Sequence, residues 1–193
     1  HTGGFAPFSF DITPALGAKS NKLVVRVWDP TDKSYQPRGK QVTNPNGIWY
    51  TPVSGIWQTV WLEPVSEKHI ANLRILPDVD ANILKVDACV AEKSATDMVE
   101  VNVYDGNQLV ASGKSINGEP VEITMPEKVK LWTPDSPFLY TLKVALINKG
   151  KAVDKVDSYA AMRKYSTRRD ADGIVRLELN NQPIFQFGPL DQG

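Results

Sequence analysis

Short runs in the middle of this chain place apolar side chains at every second position, and this pattern constrains the fold most. Leu73-Ile75, Leu84-Val86-Ala88-Val90, Val99-Val101-Val103, Leu109-Ala111, Val121-Ile123-Met125 and Tyr140-Leu142-Val144-Leu146 all follow it, and Val153 to Tyr159 continues the series. Successive side chains of a strand point to opposite faces, so such a run buries one face and wets the other. Asp105-Gly106, Asn117-Gly118 and Asn148-Lys149-Gly150 fall between runs, where hairpins need residues that tolerate positive φ. No stretch with helical period is long enough for a stable helix. The reading is all-β, and seven short alternating strands predict an immunoglobulin-like β-sandwich.

The flanks read differently. Phe8-Phe10-Ile12, Leu23-Val25-Val27 and Ile56 to Leu62 predict three further strands, with the Pro-, Gly-, Lys- and Asn-rich stretch from Asp29 to Ser54 between the last two. A loop of that length in a compact domain is functional or disordered. With Phe5, Trp28, Trp57 and Trp61 added, three strands offer more apolar surface than they can bury on one another. The segment therefore reads as part of a two-sheet domain. Trp57 and Trp61, four apart in one run, share a face and are expected in its core. At the other end GIVRLEL alternates, Asn180-Asn181 supplies a turn, and Pro183 to Phe187 begins a more continuous apolar run. Such a run suits a strand buried on both faces, as in a parallel barrel. The chain begins at His1 rather than Met, and it is expected to be a piece of a longer protein. The faces left uncovered at its two ends are expected to drive self-association.

Composition removes several functions. The sequence has 22 basic and 22 acidic residues, so no overall field favours a nucleic-acid partner. No apolar run approaches the ~18 residues of a membrane-spanning helix. The single Cys89 rules out an internal disulfide, leaves the compartment open, and is expected to be a small core residue. His1 and His69 are the only histidines. One stands at the first position and the other at the junction between the two sandwich segments, so neither reads as the acid-oriented base of a Ser-His-Asp triad. With one cysteine they are too few for a metal cluster. No metal and no cofactor are expected. Asp170-Ala171-Asp172-Gly173 looks like a scrap of a calcium loop, but its spacing does not continue and a β-turn is the better reading. Arg163, Lys164, Arg168 and Arg169 read as a solvated strand end and linker rather than a phosphate site. Trp132 is expected in the core. Trp49-Tyr50, in the long loop, is less easily explained by packing. Sugars present C–H faces to aromatic rings, so Trp49 and Tyr50, with Arg38 as a hydrogen-bonding neighbour, are candidates for carbohydrate contact.

Five segments in order then carry a resemblance: HTGGFAPFSFDIT, NKLVVRVWDP, SGIWQTVWLEPV, LWTPDSPFLYTL and LNNQPIFQFG. Together they resemble glycoside hydrolase family 2, the group of β-galactosidases, β-glucuronidases and β-mannosidases, across essentially the whole chain. The resemblance implies that residues 1–66 are the C-terminal half of a jelly-roll sugar-binding domain. It implies an immunoglobulin-like sandwich at 67–167, and a linker with the truncated first strand of a catalytic (β/α)8 barrel at 168–193. It implies retaining hydrolysis by two glutamates on later barrel strands, one of them following an asparagine. None of the eight glutamates here follows Asn, so the catalytic residues are absent.

Further consequences come only from the resemblance. Where β-galactosidases place an acid that reaches the active site, this chain has Trp49. Arg163 matches an arginine that usually follows a Phe-Gly pair, but Ala160-Ala161 stand there. The resemblance therefore implies the family without implying which sugar. Barrel sites gather at the C-terminal ends of strands, which makes Asp191 a substrate-proximal candidate. The expected function is the non-catalytic N-terminal portion of a retaining glycosidase whose partner is a carbohydrate substrate. An alternative is a free-standing carbohydrate-binding module using Trp49, Tyr50 and Arg38. An array of adhesion sandwiches would show internal repeats, and none is found.

Overall fold

The computed structural model describes residues 1–116 and 118–189, and it divides them into two compact units, His1–Glu63 and Pro64–Pro189. Apart from one short 3₁₀ turn at Thr13–Ala15, every regular element described is a strand, and all lie in the second unit. They are β1 (Ile70–Asp78), β2 (Ile83–Val90), β3 (Asp97–Asp105), β4 (Gln108–Ile116), β5 (Val121–Thr124), β6 (Tyr140–Asn148), β7 (Lys151–Ala160), β8 (Tyr165–Arg169), β9 (Val175–Leu179) and β10 (Gln182–Pro183).

The first seven are the seven runs read from the alternation. They form two antiparallel sheets, β1-β2-β5 and β4-β3-β6-β7. Residues of the apolar phase meet between them: Leu84 and Val86 from one sheet, Val99, Val101, Leu142 and Leu146 from the other, are all essentially inaccessible. The turns follow the expected chemistry. Lys149 and Gly150 both take positive φ (48° and 75°) in the two-residue β6–β7 loop, the mirror-image turn whose twist matches paired strands. Gly106 does the same at the β3–β4 turn (φ 58°). Asn117, of the third expected turn, lies outside the described residues. Gly113 on β4 serves a different need. A Cβ there would sit 2.8 Å from Val121 Cγ1 and 2.9 Å from Ile123 Cγ1, so only glycine lets β4 approach β5 of the facing sheet so closely.

Beyond β7 the outcome differs from the expectation of a barrel-like strand. Val175–Leu179 is the centre of a three-stranded antiparallel sheet, β10-β9-β8, and Asn180-Asn181 (φ 53° and 65°) form its tight turn. Of the apolar run from Pro183 to Phe187 only Pro183 lies in a strand, the short Gln182–Pro183; Ile184 N–H still donates to Leu177 O (3.0 Å), and among the described residues no strand follows it. A run of apolar residues specifies burial but not a ladder partner, and parallel pairing needs a neighbour that the described residues do not supply.

In the first unit the three expected strands are absent among the described residues. Phe8-Phe10-Ile12, Leu23-Val25-Val27 and Ile56 to Leu62 make no ladder. Apart from the half-buried Ile12, their large apolar side chains are exposed, and Trp57 and Trp61 stand 69% and 70% accessible rather than in a core. Alternation defines which face would be buried; a strand also needs a partner for its N–H and C=O groups. Cys89 is a further correction. It is exposed, because it is out of phase with Leu84, Val86, Ala88 and Val90, and the same alternation that buries those residues turns it outward.

Candidate functional site

Loop 29–54 is ordered by its own polar side chains. Thr31 N–H donates to Asp29 Oδ1 (2.8 Å), a local turn that Asp favours two residues ahead. The other Asp29 oxygen accepts from Ser54 Oγ (3.1 Å), which closes the base of the loop. Asp32 accepts from both the hydroxyl (2.5 Å) and the N–H (3.0 Å) of Thr43. Those two bonds, the hydroxyl first, hold its carboxyl below the ordinary aspartate range. Gln41 Oε1 accepts from Val53 N–H (2.7 Å). A single parallel bridge then pairs Gln41 with Tyr50: Tyr50 N–H donates to Lys40 O (2.8 Å), and Val42 N–H donates to Tyr50 O (3.2 Å).

These struts carry the candidate residues. Trp49 and Tyr50 are 39% and 63% accessible on a tethered backbone, so the two rings face solvent without the loop being loose. Arg38 is half-buried, donates from Nη1 to Asp32 O (3.3 Å), and lines a small polar depression with Asp29, Thr31 and Gln41. The structure thus places Arg38, Trp49 and Tyr50 in one hydrogen-bonded loop, but among the described residues no hydrogen bond or cation–π pair joins the Arg38 side chain to either ring. Asp191 lies outside the described residues. Asp29, Asp32 and Gln41 were not singled out from the sequence; the Asp-Pro-Thr-Asp spacing, which favours side-chain-to-backbone turns, was the signal that could have found them. Thr31 is a β-branched residue at φ 55°, a conformation such residues rarely adopt.

The other polar candidates are structural. Asp170 accepts from Asp172 N–H (3.0 Å) and Ile174 N–H (2.9 Å), and Gly173 N–H donates to Asp170 O (3.0 Å), so the calcium-like scrap is a β-turn. The basic cluster is occupied. Arg163 stands over the Trp132 ring (4.9 Å) and near Tyr165 (5.3 Å), Lys164 Nζ meets Asp80 (2.5 Å), and Arg168 Nε lies 2.7 Å from the buried Glu178. Trp132 is therefore half-buried beneath an arginine rather than sealed in the core. Among the described residues no group of three or more His, Cys, Asp or Glu could hold a metal, and no helix is long and apolar enough to cross a membrane.

Comparison with known proteins agrees with the fold and adds the family. Residues 68–163, which contain all seven strands of the sandwich, match the model of glycosyl hydrolases family 2. A Formosa agariphila protein provisionally named a beta-glucuronidase is 33% identical over 84% of this chain and 20% of its own length. A beta-galactosidase of Thermoanaerobacter pseudethanolicus is 27% identical over 95% of this chain and 25% of its own. Among solved structures, a beta-glycosidase from Bacteroides vulgatus superposes with TM-score 0.54 at 21% identity, covering 72% of this chain and 18% of that one. The chain belongs to glycosyl hydrolase family 2. It spans about a fifth to a quarter of the length of these relatives.

Proposed function

We propose that this chain forms the non-catalytic, N-terminal portion of a retaining glycoside hydrolase acting on β-linked sugars. The observation that carries the reading is the coincidence of the seven-strand sandwich with the family match over residues 68–163. Its strand distribution, three strands facing four, is that of an immunoglobulin-like domain. On this reading residues 1–66 belong to a jelly-roll sugar-binding domain, and residues 168–193 lead into a catalytic barrel. The chain's own carboxylates support a non-catalytic role. Glu178, the one glutamate in residues 168–193, is buried and committed to Ser166 Oγ (2.9 Å) and Arg168.

Within this reading, loop 29–54 presents Trp49 and Tyr50 for stacking on a sugar face, with Arg38 as hydrogen-bond donor, and Asp191 is a substrate-proximal candidate. Purified chain is expected to hydrolyse no aryl β-glycoside above background, since no acid/base and nucleophile pair is present. Calorimetry against mono- and oligosaccharides is expected to give weak binding that Trp49→Ala removes. Turnover that survives rigorous purification overturns the non-catalytic assignment, and no heat at any sugar overturns the site. Phe8, Phe10, Val25, Val27, Trp57 and Trp61 are all exposed, which supports self-association through these side chains, to be read by light scattering as mass rising with concentration.

A further inference from the structure

We infer that Asn46-Gly47 is a site of spontaneous backbone modification that alters the turn carrying Trp49. Three features of the structure converge there. Residues 43–50 are exposed throughout, so water and hydroxide reach the peptide group. Gly47 takes φ 56°, and nothing lies within 4 Å of where a Cβ would be, so no neighbouring group packs against its Cα. The Asn46 side chain makes no hydrogen bond among the described residues, and the Gly47 N–H is likewise unengaged. By contrast Asn21, Asn72, Asn82, Asn102, Asn148, Asn180 and Asn181 are held by their amide groups, Asn44 precedes a proline, which has no N–H to react, and Asn107 precedes Gln108 rather than a glycine.

The chemistry is intramolecular. Base removes the Gly47 amide proton, and the nitrogen attacks Asn46 Cγ. A C–N bond forms to close a five-membered imide, the Cγ–Nδ2 bond breaks, and ammonia leaves. Water then opens the ring. Cleavage at Cγ gives aspartate, and cleavage at the main-chain carbonyl gives an isoaspartyl link that runs through Cβ. Proximity within one side chain makes the reaction possible without an enzyme. Its structural consequence is specific, because Asn46 O accepts the hydrogen bond from Trp49 N–H (3.0 Å) that closes this turn. In the isoaspartyl product that carbonyl is no longer in the main chain, and the backbone leading to Trp49 and Tyr50 is one atom longer.

The test is peptide mapping of the whole chain after incubation at 37 °C in neutral and mildly alkaline buffer, with methyltransferase labelling of isoaspartate. A synthetic peptide of residues 43–50 serves as the unfolded reference. The expected result is an amide-to-acid mass gain at Asn46, faster in alkali, with isoaspartate at that residue and none in Asn46→Gln. Trp fluorescence is expected to drift with the same time course in the original chain and not in the variant. Fragment ions separate this site from the Asn117-Gly118 pair, which lies partly outside the described residues. An Asn46 amide that persists while the reference peptide converts overturns the inference, since the folded turn would then hold the Gly47 nitrogen away. Conversion without any change in fluorescence overturns the claimed effect on Trp49.

Discussion

Asp97→Ala is expected to lower the stability of the sandwich by about 2–3 kcal/mol, read as a fall of roughly 10–20 °C in Tm for a domain of this size. Asp97 is 1% accessible, and its two oxygens serve both sheets. Oδ2 meets Lys68 Nζ (2.7 Å) just before β1 and accepts from Ser94 N–H (2.6 Å). Oδ1 accepts from Asn148 Nδ2 (2.7 Å), the residue paired with Asp97 across β3 and β6. Removing the carboxylate leaves the Lys68 ammonium with the Glu92 carbonyl and Ser94 as its polar contacts. Lys68 is 22% accessible and can recover some water, which is why the figure sits below that for a fully buried broken pair. Asp97→Asn keeps the size but not the charge and is expected to fall between the two.

The same group fixes the acid response. Burial pushes the Asp97 carboxyl up, but hydrogen bonds from Lys68, Ser94 and Asn148 outweigh it and hold the group down to about 2 from 3.8. A carboxylate whose folded pKa is depressed adds stability above its unfolded pKa and loses it as pH falls toward the folded one. The Asp97 contribution is therefore complete above pH 3.8 and withdrawn between there and about 2. Denaturant midpoints measured across that interval are expected to fall less steeply in Asp97→Asn. Equal slopes in the two proteins would remove Asp97 from the acid transition.

How much of this was legible varies by region, for physical reasons. The seven sandwich strands could be read because each turn and each alternation is local, and the partner strands are all within the sequence. Asp97 itself had a signal: it is in phase with Val99, Val101 and Val103, so an acid at that position had to be buried and paired. The first unit misled because Phe8-Phe10 and Val25-Val27 state a face without stating what covers it. Trp57 and Trp61, expected to share a buried face, are both exposed. The loop candidates were legible from the absence of period at Trp49-Tyr50. The aspartates that hold them in place were not, because their bonds to Thr43 and Ser54 span 11 and 25 residues.

The largest single loss of packing is expected at Leu142. It lies on β6, between β3 and β7, where its Cα faces Val103 on one side and Ser158 on the other. Its side chain is fully inaccessible and belongs to the same cluster as Leu84, Val86 and Ile123 of the facing sheet. Leu142→Ala removes three heavy atoms from a place where neither backbone neighbour can close in, because each is fixed by ladder hydrogen bonds. The cost is the lost transfer energy plus the cavity, about 2–5 kcal/mol, and a central strand argues for the upper half of that range. Denaturant unfolding reads it directly, as a lower midpoint with an unchanged slope if the native fold survives. Leu109 on β4 is the control: it belongs to an edge strand and is half exposed, so Leu109→Ala is expected to cost under about 1 kcal/mol. If the two substitutions cost the same, the cohesion of the sandwich does not reside in the layer between its sheets.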